Sequence, residues 1–237
     1  TVSENAATLA QSGYGVFYME EGWQIPVREL LGAMLLNSSN EAAFILAEYI
    51  AGTEKEFAVM MNEMARLLDL DSAKFFNASG LPEYSDSLMA SVRQNSMSVN
   101  DLFRLTCAVL QKYPQILDYT SQKEMYLPTL DVTAYNTNYL LYNMDNAVGL
   151  KTGTTDEAGC CLVGSVKAGN AGNEHVLTAI VIGANSNLDR YQIPEVLLTW
   201  GTGRLEAQQL SAASQTDEVS AAEDVNVNNQ PGTDQDE

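Results

Sequence analysis

The sequence predicts an α+β fold in which a helical lobe packs on an antiparallel sheet. Two observations carry this. Apolar residues recur at helical spacing between Pro26 and Pro114, and after Pro128 the pattern turns to strand-like runs at 147–152, 159–168 and 175–184. Gly153 and the cluster Gly169-Asn170-Ala171-Gly172 supply turn residues among those runs, so the strands read as hairpins rather than crossovers.

In chain order, Tyr14-Gly15-Val16-Phe17-Tyr18 reads as a short strand, followed by a turn at Glu20-Glu21-Gly22. Pro26 opens a helix whose apolar positions are Val27, Leu30, Leu31, Met34 and Leu35, since proline is pre-set for a first helical turn. Ser38-Ser39-Asn40 interrupts it. A second helix runs through Ala42, Ile45, Leu46 and Tyr49 to Gly52, and Thr53 with Glu56 forms a capping box for a third. The third helix carries Phe57, Met60, Met61, Met64, Leu67 and Leu68, with the methionines expected as core filler. After the turn cluster 77–82, Ser98 caps a helix that ends at Lys112, before Pro114. The nearly unbroken apolar run 176–182 predicts a strand covered on both faces. A last helix is expected from about Leu188 to Gly201. Residues 1–205 are then one folded domain and 206–237 an acidic disordered tail or linker. From Thr216 onward the chain holds seven carboxylates and no Lys or Arg.

Composition removes several function classes. A formal net charge of −19 is unsuited to nucleic acid, whose phosphates need Lys and Arg, and to an anionic membrane surface. No transmembrane span is visible in the sequence. Cys107, Cys160 and Cys161 form neither a disulfide framework nor a zinc pattern, so no metal or cofactor is expected. Cys160 and Cys161 alternate faces of their strand, so at most one points to a site. The single histidine, His175, begins a strand, which argues against a Ser-His-Asp triad.

Lys151-Thr152-Gly153-Thr154-Thr155 lies at the end of a predicted strand. The ammonium supplies positive charge, Thr152 a hydroxyl, and Gly153 room for a ligand backbone. Together with Ser38-Ser39-Asn40, these residues resemble the third and second signatures, K-T-G and S-x-N, of the serine penicillin-binding enzymes. Their first signature, S-x-x-K, does not occur: Gly52, Asp71, Val109, Thr120, Val148 and Gly164 stand three places before the six lysines.

From Gly22 to about Gly201 the chain resembles the low-molecular-mass D-alanyl-D-alanine carboxypeptidases. The resemblance rests on Gln24-Ile25-Pro26-Val27, the stretch Leu36 to Ala43, Ala51-Gly52-Thr53-Glu54, Asn77-Ala78-Ser79-Gly80-Leu81, Asn136 to Leu141 and Gly149 to Thr155. It implies a β-lactamase/transpeptidase-like fold whose N-terminal part, with the nucleophile, falls before Thr1. It also implies removal of the terminal D-alanine from peptidoglycan stem peptides ending in D-Ala-D-Ala, with an acyl-serine intermediate and β-lactams as inhibitors. The implied location is extracytoplasmic, with membrane contact only through a part outside this chain.

On that resemblance Ser38 relays protons, Asn40 orients the substrate and the nucleophile's lysine, and Lys151 holds Ser38 and attracts the substrate carboxylate. Thr152 and Arg190 bind the terminal carboxylate, and the Thr154 backbone N–H supplies half of an oxyanion hole. The alternatives are a non-catalytic peptidoglycan- or penicillin-binding module and a β-lactamase of the same fold.

Overall fold

A computed structural model describes residues 1–84 and 92–227. The chain opens with α1 (Glu4–Ala10), α2 (Val27–Leu36), α3 (Asn40–Ala51) and α4 (Glu54–Leu67). A small antiparallel pair, β1 (Glu83–Tyr84) and β2 (Val92–Arg93), precedes α5 (Val99–Lys112) and α6 (Leu117–Thr120). Next come the hairpin β3 (Glu124–Leu127) and β4 (Val132–Tyr135), then α7 (Leu140–Asn143). The main sheet is β5 (Ala147–Thr155), β6 (Gly159–Ala168) and β7 (His175–Ala184), antiparallel in that order, and α8 (Asn187–Val227) follows it. No helix among the described residues is long and apolar enough to cross a membrane.

The predicted helix starts hold at atomic detail. Thr53 Oγ1 accepts from the Glu56 N–H at 3.1 Å and donates to the Glu56 carboxylate at 3.0 Å. Ser98 Oγ accepts from Asp101 N–H at 3.2 Å, which satisfies one of the orphan donors of α5.

Two cores hold the lobes. One gathers Met19, Leu30, Leu36, Ala42, Ile45 and Leu127 between α2, α3 and the β3–β4 hairpin. The other seats α8 on one face of the sheet through Leu140, Leu162, Val166, Ala179, Tyr191 and Leu198.

Four expectations are corrected. Residues 14–18 form a turn and a bend, not a strand. The Val16 and Phe17 N–H groups donate to the buried Glu41 carboxylate, so α3 takes the donors a neighbouring strand would have used. Met60 and Met64 are 45% and 49% exposed; they line an apolar groove with Phe57, Leu68, Phe75 and Leu105 instead of filling a core. Val176 and Ile182 on β7 are exposed, so the sheet's second face is only partly covered.

The last helix also passes Gly201 and continues to Val227. Gly201 lies where α8 runs close to β7: a Cβ there would stand 3.4 Å from Leu177 Cδ1. Beyond it, Leu205, Ala207, Leu210 and Ala212 favour continuation. Gln209 ties this stretch to the β6–β7 turn, accepting from Asn170 N–H and donating to Asn173 O at 2.8 and 2.9 Å. Of the tail expected at 206–237, residues 206–227 lie in this helix, and 228–237 lie outside the described residues.

Candidate active site

The fold places Ser38 where α2 stops and α3 begins. Ser39 is the N-cap of α3, its Oγ accepting from Ala42 N–H at 3.1 Å, and Ser39 N–H donates back to Ala33 O at 3.1 Å. That tight junction holds Ser38 in the left-handed region, φ 59°, which a serine adopts only at a cost. Across a cleft of about 720 Å³ lies β5, an edge strand of the main sheet. Lys151 Nζ donates to Ser38 Oγ at 2.6 Å and to Thr152 O at 2.8 Å.

Although part of the Lys151 side chain reaches the surface, its ammonium end is enclosed. Desolvation chiefly, and then the charge of Arg190, lower its pKa to about 8. At neutral pH it remains a cation.

Gly153 opens onto free space, with nothing within 4 Å of where a Cβ would stand. Arg190, in the first turns of α8 and 8% exposed, is not the exposed helix-start charge its neighbours Asp189 and Glu195 could have paired. Its Nη1 donates to Gly153 O at 3.1 Å and to Thr154 Oγ1 at 2.7 Å, and its Nη2 donates to Asn187 Oδ1. Arg190 Nε is buried without a partner.

Thus Ser38, Asn40, Lys151, Thr152, Gly153, Thr154 and Arg190 all line one cleft. Asn40 is already partly engaged, its Nδ2 donating to Tyr14 O at 2.9 Å. Cys161, opposite Gly153 in the β5–β6 register, also lines the cleft, whereas Cys160 lies near Asn187. His175 sits at the start of β7 within 3.2 Å of Asn173 Oδ1.

Sequence reasoning missed three contributors. Thr137 Oγ1 lies 2.6 Å from Thr152 Oγ1, and Tyr191 Oη donates to Thr137 O at 2.7 Å. Gln94 Nε2 donates to Thr155 Oγ1 at 3.0 Å, a second bridge across the cleft. Asn136-Thr137-Asn138 had been visible as a landmark, without a role.

Comparison with known proteins identifies the family and the fold. The family model for D-alanyl-D-alanine carboxypeptidase matches residues 1–186. The chain is 34% identical over 190 residues to the D-alanyl-D-alanine carboxypeptidase DacD of Escherichia coli (strain K12), covering 80% of this chain and 45% of that protein. It is 30% identical over 217 residues to DacF of Bacillus subtilis (strain 168), covering 90% and 51%. The chain therefore spans about half the length of the curated relatives it matches.

Among solved structures, DacD of Francisella tularensis superposes with a TM-score of 0.72 at 25% identity, covering 84% of this chain and 56% of that one. Penicillin-binding protein D2 of Listeria monocytogenes, solved with cefotaxime bound, gives 0.63 at 32% identity, covering 73% and 65%. The helical lobe and antiparallel sheet are those of the penicillin-binding, transpeptidase-like fold. The chain belongs to the D-alanyl-D-alanine carboxypeptidase family.

Proposed function

We propose that the protein containing this chain is a serine-type D-Ala-D-Ala carboxypeptidase. It removes the terminal D-alanine of peptidoglycan stem peptides in an extracytoplasmic compartment, and β-lactams inhibit it. The observation that carries this reading is the 2.6 Å bridge from Lys151 to Ser38 in a cleft that also presents Thr152 and Arg190.

Each group has a chemical task. Thr152 and Arg190 bind the substrate's terminal carboxylate, with the enclosed Lys151 ammonium adding positive charge. The acyl carrier is the serine of an S-x-x-K motif, which this chain does not contain. Its Oγ bonds to the penultimate carbonyl carbon while the oxyanion is stabilised in part by the Thr154 N–H. Ser38, held by Lys151, passes a proton to the leaving nitrogen as the peptide C–N bond breaks, and D-alanine departs as the free amino acid. Water then hydrolyses the acyl-serine ester. With Nδ2 given to Tyr14, Asn40 has its Oδ1 to orient a lysine beside the nucleophile.

The test uses the full-length protein, with D-alanine release from an N-acyl peptide ending in D-Ala-D-Ala and the mass shift after penicillin as readouts. Release with a single penicilloyl adduct outside this chain is expected. Binding without release would favour the non-catalytic module, rapid penicillin turnover would favour a β-lactamase, and an adduct on Ser38 would overturn the proton-relay role.

A further inference from the structure

We infer that Thr137 is a positioning residue that sets how strongly Thr152 donates to an anionic ligand. This deepens the proposed function and rests on its reading of Thr152 as a carboxylate-binding group.

Thr137 sits between β4 and α7, and three parts of the fold converge on it. Its N–H and its Oγ1 both donate to Leu36 O, the end of α2, at 3.0 and 3.3 Å. Its carbonyl accepts from Tyr191 Oη on α8 at 2.7 Å. Its Oγ1 stands 2.6 Å from Thr152 Oγ1 on β5, and both threonines line the cleft. A residue fixed from three sides has little freedom to move away from Thr152.

The proton inventory then gives a direction. Each hydroxyl carries one hydrogen and two lone pairs. In this structure Thr137 Oγ1 donates to Leu36 O and accepts from the Thr152 hydroxyl, so both hydroxyls are occupied. When a carboxylate arrives, Thr152 turns its hydrogen to the anion. Its oxygen is then free to accept, and the Thr137 hydrogen moves from the longer 3.3 Å contact with Leu36 O to the 2.6 Å contact with Thr152 Oγ1. Leu36 O keeps the Thr137 N–H throughout, so no buried carbonyl is orphaned. A hydroxyl that accepts a hydrogen bond is a better donor, and the chain Thr137 → Thr152 → carboxylate is cooperative. No heavy atom needs to move; only two hydrogens rotate.

The consequence is selective. Thr137 favours ligands that end in a free carboxylate and leaves neutral isosteres nearly untouched. A residue that only shaped the cleft would affect both alike.

The experiment measures, in the full-length protein, equilibrium binding of an N-acyl-D-Ala-D-Ala peptide as the free acid and as the C-terminal amide. Thr137→Val removes the relay hydrogen and keeps the shape. The preference for acid over amide is expected to fall about tenfold, the scale of one charge-assisted hydrogen bond. Thr137→Ser should retain it, and Thr137→Ala makes the same test as valine without either γ-methyl. In a Thr152→Val background, Thr137→Val should not change the ratio further. Equal weakening of both ligands, or an unchanged ratio, would overturn the relay alone. A wild-type protein with no preference for the acid would overturn the relay together with the carboxylate reading of the cleft.

Discussion

Lys151 decides how the cleft responds to pH. Its pKa stands near 8, and its model-peptide value is 10.5, because its ammonium is desolvated and Arg190 is close. As pH rises through about 8 in the folded protein, the ammonium loses its proton, and with it the attraction for a carboxylate and the donor that holds Ser38. Binding of a D-Ala-terminated acid should therefore weaken above pH 8, and Lys151→Met should bind weakly with no step there; titration from pH 6 to 10 measures both. Linkage has the opposite sign for stability. Between pH 8 and 10.5 the unfolded chain binds more protons at this site, so the Lys151 contribution makes the fold more stable as pH rises. Ser38→Ala should slow acylation by about 10² to 10⁴, the range for losing a positioned proton-transfer group, without unfolding the protein. That Ser38, Asn40, Lys151, Thr152, Gly153, Thr154 and Arg190 would line one cleft was legible through the motifs and the resemblance they carry. Thr137 and Gln94 were not, because their partners lie 15 and 61 positions away and nothing in a hydroxyl or an amide announces which strand will pass beside it.

At the scale of elements, capping chemistry made two helix starts readable, since Thr53 and Ser98 bond within their own first turns; Ser39, which caps α3, was seen only as part of an interruption. Residues 14–18 have strand-like composition, yet their N–H groups are taken by Glu41, and no local pattern reveals a carboxylate arriving from 25 positions away. Glu41 is 0% exposed, so Glu41→Ala would orphan the Val16 and Phe17 donors and free the segment that also receives Asn40. A loss of about 3 kcal/mol is expected in denaturant unfolding, at the upper end for a buried hydrogen-bonded group. The end of α8 was misread for a related reason: glycine suggests a stop, but Gly201 serves close approach to Leu177. Gln209→Ala should cost about 1 kcal/mol and speed amide exchange at Asn170, whose N–H it now accepts. Unchanged exchange there would mean that α8 is not anchored at this point.

At the scale of the whole chain, a strongly acidic sequence presents a cationic cleft, and the ligands of the proposed function are themselves anions. The formal charge is −19, with seven of the carboxylates at or after Thr216 and no base among them. Far from the protein, a penicillin or a peptide acid meets net repulsion; inside the cleft it meets Lys151 and Arg190, of which Arg190 is 8% exposed. The two effects respond differently to salt. Mobile ions screen exposed charges over about 30 Å at 0.01 M and about 10 Å at 0.1 M, but they scarcely enter an enclosed site. Raising ionic strength across that range should therefore speed association of an anionic β-lactam, the reverse of ordinary steering between opposite charges. Dissociation of the complex before acylation, set by short-range contacts with enclosed cations, should change little. Removing residues 216–237 should reduce the salt effect on the association rate while leaving the dissociation rate as it was. Stopped-flow binding at several salt concentrations separates the two rates. An association rate that falls with salt would mean that the local field of Lys151 and Arg190 reaches beyond the cleft and outweighs the chain's net charge.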